Sequence, residues 1–412
     1  MAATVLSGVS AALKNLYPKG EMPESINDNY PLHKKLAKAE DFVGESAYVA
    51  IKNANSQGVG SSVATAQTAD NDPSYKRFTL TRNKAFSVAR IDGEAAEAAV
   101  RQEGALVDLV DDKVSGAAQT LVHDLAVWEY GAGNGILGTI SSGHGGTTLT
   151  LTSTANMNYF EIGMLIVSVD GTVTALNGNK TSAAARTVTG IDRLNRTLTI
   201  SAALGGTAAS GDHLVRASFD CETAGDVNSV FHGLRSYVEG GSSPSSLYSL
   251  TRNTDPVRLA GQTDDYTGDA MEDAVLDALA KCSIQGIGTP DTLVANPIQV
   301  AAMQRSVGGK VVYNRDQSSK AEVGFSELNF ESPDGKVKII SDPYCPLQVA
   351  YLLRMKDWTL WSLRKAPHME KADGLESRVN FTEDNFEVRW KFYGAVRLTN
   401  PGCQFRMTGF GA

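Results

Sequence analysis

From Asp92 to Gly131 the chain reads as one amphipathic helix of forty residues, and this stretch limits the possible folds more than any other. Asp92 is placed to cap it, with Glu94 and Glu97 in the acidic first turns that a helix N-terminus favours. Val107, Val110, Val114, Ala118, Leu121, Leu125 and Trp128 then recur at steps of three and four, which puts them on one stripe. Gly131 supplies the stop. At 1.5 Å per residue such a helix is a rod of roughly 60 Å, and Gly104 and Gly116, each costing about 1 kcal/mol against Ala, allow a bend. A rod with a single apolar stripe must lie across a sheet or a partner. It is the spine of whatever this chain builds.

The residues before the helix suggest reach. Residues 1–45 hold no long period and are punctuated by Tyr17-Pro18, Met22-Pro23 and Tyr30-Pro31, which favour extended backbone, so they read as an arm lying over something else. Ser46 to Lys52 is a short β-compatible run, and Tyr75 to Val88 alternates around Phe78 and Leu80. Between them lie some twenty residues rich in Gly, Ser, Ala, Thr and Asn, with Asp70 and Asp72 the only charges. Loops of that size are uncommon in compact domains. The segment is therefore either an irregular surface loop or a long hairpin arm that orders against a neighbouring subunit.

After the helix the composition shifts. Thr, Val, Ile, Gly and Asn dominate from Gly143 to Ser218, with strands expected at 147–152, 164–169, 186–191, 196–201 and 213–218. Gly171, Asn177-Gly178 and Gly205-Gly206 mark turns between some of them. Five short strands at such spacing suggest an inserted small barrel or sandwich. Beyond it, helices are expected at Gly268 to Cys282 and Pro297 to Gln304, and strands at 292–295, 337–341, 349–355 and 359–363. Phe386, Val388, Trp390 and Phe392 alternate with Glu387, Arg389, Lys391 and Tyr393, a half-buried strand. The body is α+β.

No pattern of residues carries chemistry. Gly133 to Gly138 formally matches GxGxxG, but a dinucleotide fingerprint follows a strand and opens a helix, whereas this one follows a helix and reads as its glycine-rich exit. His144-Gly145-Gly146 resembles an oxyanion loop without any GxSxG elbow; Gly240 to Pro244 comes nearest and fails at its last glycine. The six histidines are scattered with no HExxH spacing. The pairs Asp111-Asp112 and Asp264-Asp265 read as solvated charges on a helix and in a polar loop. Four cysteines about sixty residues apart give neither metal-ligand spacing nor a disulfide framework, which favours a reducing compartment. No secretory signal or membrane-length apolar run is expected, and three N-x-T sequons matter only in a secreted protein. The formal charge of -8 argues against gripping nucleic acid through cationic excess. No catalytic, cofactor-binding or metal site is expected.

The order of elements, a proline-bearing arm, a polar hairpin, one spine helix, an α+β body and a late alternating strand, resembles the major capsid proteins of tailed bacteriophages, the Hong Kong 97-type fold. The resemblance implies a division into an N-terminal arm (1–45), an extended hairpin loop (46–90) and the spine helix of a peripheral domain (91–142). An inserted β-barrel-like domain (143–218) follows, then an axial domain with the remainder of the peripheral domain (219–384) and a C-terminal peripheral-domain strand (385–412). It implies a shell subunit that self-assembles into pentamers and hexamers, enclosing double-stranded DNA without sequence-specific binding, in a virion made in the bacterial cytoplasm. The implied partners are further copies of the chain, a separate scaffolding protein, a portal, and a cement or decoration protein. Lys52, Lys76 and Lys84 lie in or beside the hairpin, with no basis for assigning a crosslink to them. Glu94, Glu97, Asp108 and Asp112 share one flank of the spine, which either turns towards the lumen, as the resemblance implies, or is a solvated face kept for solubility. An encapsulin-type compartment shell shares the fold, and a secreted β-rich adhesin or hydrolase is the alternative from another class.

Overall fold

The structure, a computed structural model, describes residues 30–93, 105–152, 156–169, 185–204, 208–217, 230–240, 244, 246–285, 287–307, 329–332, 335–371, 378–379 and 383–411. Cys221, the onset of the spine, and the turns at Gly171, Asn177-Gly178 and Gly205-Gly206 lie outside these residues.

The chain enters through a short helix α1 (Pro31–Lys35) and strand β1 (Ala37–Ala39). Strands β2 (Ser46–Ala54) and β3 (Ser74–Thr81) pair antiparallel as a two-stranded ribbon, with helix α2 (Val63–Ala69) at the tip. Strand β4 (Asn83–Asp92) follows, then the spine α3 (Ala105–Tyr130). Strands β5 (Ile136–Ser142), β6 (Thr148–Leu151), β7 (Leu165–Val169), β8 (Arg186–Asp192), β9 (Thr197–Ile200) and β10 (His213–Arg216) close into a barrel in the order β10-β5-β6-β9-β8-β7.

The body holds two six-stranded sheets. The first comprises β1, β4, β16 (Trp358–Ser362), β17 (His368–Met369), β18 (Arg378–Val379) and β19 (Asn385–Leu398), with β4 along one side of β19 and β16, β17 and β18 along the other. The second runs β11-β20-β15-β12-β14-β13, formed by β11 (Gln262–Asp265), β12 (Thr292–Ala295), β13 (Asn329–Ser332), β14 (Gly335–Ser341), β15 (Val349–Leu353) and β20 (Phe405–Thr408). Short helices α4 (Leu234–Tyr237) and α5 (Pro256–Leu259) precede the second sheet's two helices, α6 (Met271–Ile284) and α7 (Pro297–Val307).

The spine holds these parts together. Val114, Ala118, Leu121, Leu125 and Trp128 are all buried, as the stripe predicts, while the side chains of Val107 and Val110 lie outside the described residues. The single-stripe reading fails over the last turns, where every residue from Leu121 to Tyr130 is buried. Trp390 Nε1 of β19 donates to Val114 O (3.2 Å), Tyr130 meets Tyr351 of the second sheet, and Val122 and Ala126 pack against Tyr30. A helix end wrapped by two sheets and the entering chain has no solvated side. At its exit Gly233 is mandatory, because a Cβ there would sit 2.2 Å from Trp128 O.

On its other face the second sheet packs α6 and α7: Leu293, Leu352, Phe405 and Met407 meet Val275, Ala278, Leu279 and Met303. Gln404, fully buried between β19 and β20, accepts from Trp358 Nε1 (3.0 Å) and Arg354 N (2.9 Å) and so joins the two sheets.

Several boundaries differ from the sequence reading. Tyr75–Val88 is not one strand: the chain breaks at Arg82, β3 stays in the hairpin, and β4 pairs with β19 from Asn83↔Gly394 to Asp92↔Asn385. The hairpin therefore ends at Thr81 rather than at residue 90. Its tip is not irregular, since Ser62 caps α2 by accepting from Thr65 N (3.3 Å). The barrel has six strands, not five, because β5 lies in the segment assigned to the spine. Gly133 and Gly135, both with positive φ, do form the glycine-rich helix exit, but they lead straight into that strand. Residues 385–412 are not one peripheral strand: β19 belongs to the first sheet and β20 to the second. Asp264-Asp265 lies in β11, paired with β20, rather than in a loop. Residues 30–45 are built into the body instead of draping over it. Except at the tip, whose cap is local, the deciding partner is remote in sequence, so local alternation carries no sign of it.

Candidate assembly surfaces

The hairpin ends in an exposed tip. Ala47, Val49, Ile51, Phe78 and Leu80 seat its base, with Phe78 against Tyr237, while Tyr48 and Tyr75 face outward and Arg77 lies over the Tyr48 ring (4.6 Å). β2 is buried at alternate positions as far as Ile51, and Asn53 Nδ2 donates to Asp255 Oδ2 (3.5 Å), so the segment beyond residue 53 is the part that stands clear of the body. No residue of α2 is buried, and Val59 and Val63 are 82% and 75% exposed. The tip is held only by its own polar bonds, Ser56 to Asp70 (2.8 Å) and Gln57 N to Asn71 (2.8 Å). A tip so shaped yet so bare has polar bonds to fix its outline and no core to bury its valines.

A second surface lies on the first sheet opposite the spine. Alternation on β19 sends Val388, Trp390 and Phe392 into the core and Glu387, Arg389, Lys391 and Tyr393 to the other face. Register places Arg90, Val88, Phe86 and Lys84 directly beside them, and His368 and Arg378 on the far side. Arg90 (2.5 Å) and Arg389 (2.9 Å) bind Glu387; Lys391 and Arg378 bind Glu370. Hydrogen bonding from Arg389, then the charge of Arg90, holds the Glu387 carboxyl below its ordinary pKa; Lys391 does the same for Glu370. Burial, Arg364 and Lys391 together hold His368 down. Phe86 is half-exposed, edge-on to Tyr393 (5.6 Å) and under Lys391 (6.0 Å), and Arg82 reaches over Tyr393 (5.9 Å).

A third surface is acidic. Asp264, Asp265, Asp269, Glu272, Asp273 and Asp277 gather on β11 and the start of α6, with Lys281 bonded to Asp264 and Asp277 at 2.5 Å each. Those two bonds raise the Lys281 pKa and lower those of both carboxyls.

The barrel is fixed to the spine by two adjacent residues. Arg216 of β10 clasps Asp124, and His123 Nε2 faces Asn158 O (2.9 Å) with Glu161 at 3.8 Å. Burial opposes charging of His123, but Asp124, Glu161 and the Asn158 carbonyl outweigh it and raise the pKa. Asp124 is engaged by Arg216 and Glu129 by His33; the side chains of the expected acidic flank, Glu94, Glu97, Asp108 and Asp112, lie outside the described residues. A cleft of about 380 Å³ beside this junction is lined by Pro31, Asn158, Phe160, Glu161, Arg193, Pro343 and Tyr344.

The residues tested for chemistry stay apart. His144 sits in the β5–β6 turn, and among the described residues no three His, Cys, Asp or Glu side chains could hold a metal. Cys282, Cys345 and Cys403 are buried free thiols, and burial pushes Cys282 up to about 12. No described helix is long and apolar enough to cross a membrane. Sequence reasoning missed the cationic face, since only the pairing of β4 with β19 brings its residues together.

A hairpin on a spine helix with two sheets is the mixed α+β, Hong Kong 97-like fold of tailed-phage shells. Over 97% of its length the chain matches the capsid asymmetric unit of cyanophage A-1(L), covering 96% of that chain at a TM-score of 0.53 and 11% identity. The capsid of a native GTA particle (TM-score 0.45, 8% identity, 99% of both chains) and Mycobacterium phage Bobi (0.40, 11%, 99% of both) align less closely. No curated protein sequence matches. Residues 146–376 match the model of the SU10 major capsid protein family, and the chain belongs to that family. It is a major capsid protein of a phage head shell, a structural and non-enzymatic class located in the virion. That membership selects the phage shell over the encapsulin-type and secreted alternatives.

Proposed function

We propose that this subunit assembles into pentamers and hexamers that close an icosahedral head around double-stranded DNA. The hairpin 46–81 is the observation that carries this reading: its tip buries nothing in its own subunit and stands where only another molecule can cover it. In this reading the spine and first sheet form the peripheral domain, the second sheet with α6 and α7 forms the axial domain at capsomer centres, and the hairpin reaches over the adjacent subunit. The barrel 136–216 decorates the outer surface or contacts a neighbouring capsomer. A separate scaffolding protein, a portal, and a cement or decoration protein are the remaining partners. Weak contacts suffice: millimolar pairs, about -4 kcal/mol each, add up when every subunit makes several. Negative-stain microscopy of the purified chain tests it. Closed shells, or rings of five and six, are expected; monomers alone at high concentration overturn it.

A further inference from the structure

The overall charge of -8 conceals two surfaces of opposite sign. On the sheet face away from the spine, among the described residues, Arg82, Lys84, Arg90, Arg378, Arg389 and Lys391 stand against Glu370, Glu387 and, at the far end, Asp92 and Glu383, a formal charge of +2. The two central carboxylates are sunk, with side chains 11% and 7% exposed, while Arg389 and Arg378 above them are 40% and 36% exposed, so the sign seen from outside is positive. Phe86 (51%) and Val88 (38%) lie exposed among the cations. On the second sheet, the β11–α6 edge carries the six carboxylates and Lys281, a formal charge of -5, with Leu276 exposed beside them.

We propose that the cationic face of one subunit docks the 264–277 edge of a second copy. The proposal rests on the reading of the chain as a shell subunit. Rings of five or six need a head-to-tail contact between two different surfaces of the same chain, because a self-complementary patch closes at two. Platform and edge are two such surfaces, matched in sign, each with an apolar residue at its centre. The hairpin fits less well, because its β-ribbon carries Lys52, Lys76 and Arg77 and only its tip is acidic. Opposite charges across the contact steer encounter and fix register; they are screened over about 8 Å at physiological salt.

The test places a photoreactive benzophenone side chain at position 86 of the full chain and irradiates particles assembled from isotopically light and heavy subunits. Mixed-isotope crosslinks from position 86 to peptides within 264–277 are expected. Their yield should fall several-fold in the Asp269→Lys, Asp273→Lys variant and in 1 M salt. Crosslinks to the hairpin, to another segment or to DNA overturn the proposal and leave the shell reading standing. An unchanged yield in the charge variant also overturns it. If the parent chain never assembles, the shell reading fails first, and this contact fails with it.

Discussion

His33 Nδ1 lies 2.5 Å from Glu129 Oε1, and both side chains are shut off from solvent at 0% and 2% exposure. One comes from α1 and the other from the penultimate residue of the spine, 96 positions apart. The entering chain is thereby pinned to the helix on which the body is built. Asp342 adds a second pin by accepting from Leu32 N (3.0 Å).

Breaking the first pin should be costly. Removing one partner leaves the other buried without its hydrogen bond, a loss of about 1–3 kcal/mol. Glu129→Ala is therefore expected to lower stability by that order in denaturant melts. His33→Leu with Glu129→Leu should cost clearly less than the two single changes summed; additive costs would mean that the groups do not interact.

Acid should loosen the first sheet. Glu387 and Glu370 have pKa values held below their ordinary 4.5 by Arg389 and Lys391, so their contribution is complete above that value. It is lost as pH falls through the lower folded-state values. Protection against amide exchange in β4 and β19, taken relative to the intrinsic rate at each pH, should fall on acidification below about pH 4.5, and Glu387→Gln should flatten that dependence. A loss of protection above neutrality instead, with none in acid, would contradict the sign.

The spine core tolerates little. Leu125 is 0% exposed, and Leu→Ala at such sites costs about 2–5 kcal/mol through lost burial and the cavity left behind. Leu125→Ala should lower the unfolding midpoint without changing the shape of any particles formed. A loss under 1 kcal/mol would show that the site collapses.

Arg216→Ala should loosen the barrel rather than unfold it. Asp124, 7% exposed, would lose its cation at a cost of about 3 kcal/mol, whereas the barrel's own core of Leu149, Ile166, Leu198 and Leu214 stays intact. Amide exchange should rise at the junction residues 156–161 and stay slow in β7 and β10. Equal acceleration throughout would show that barrel and spine fold as one unit.

Protease should cut the free subunit within 55–72, where no residue is buried, and spare the same bonds in assembled particles. Equal cleavage rates in both states would remove the hairpin from the assembly contacts.

Where one period decided an element, the sequence was enough. The stripe from Val114 to Trp128, the strand Thr292–Ala295 and the alternation of Val388 to Phe392 all stand in the structure, because burial of one face is written directly into residue spacing. The architecture was likewise legible in the order of elements, with the glycines after Tyr130 ending the helix. What the tertiary structure alone decided was pairing. Whether Phe86 belongs to a hairpin or to a sheet depends on Lys391, 305 residues later, and whether Asp124 is a surface charge or an anchor depends on Arg216. The cationic face and the barrel's sixth strand exist only through such contacts. Alternation tells a strand which face to bury, but its hydrogen bonds are satisfied by any neighbour in register, and the choice of neighbour is made by the packed body as a whole.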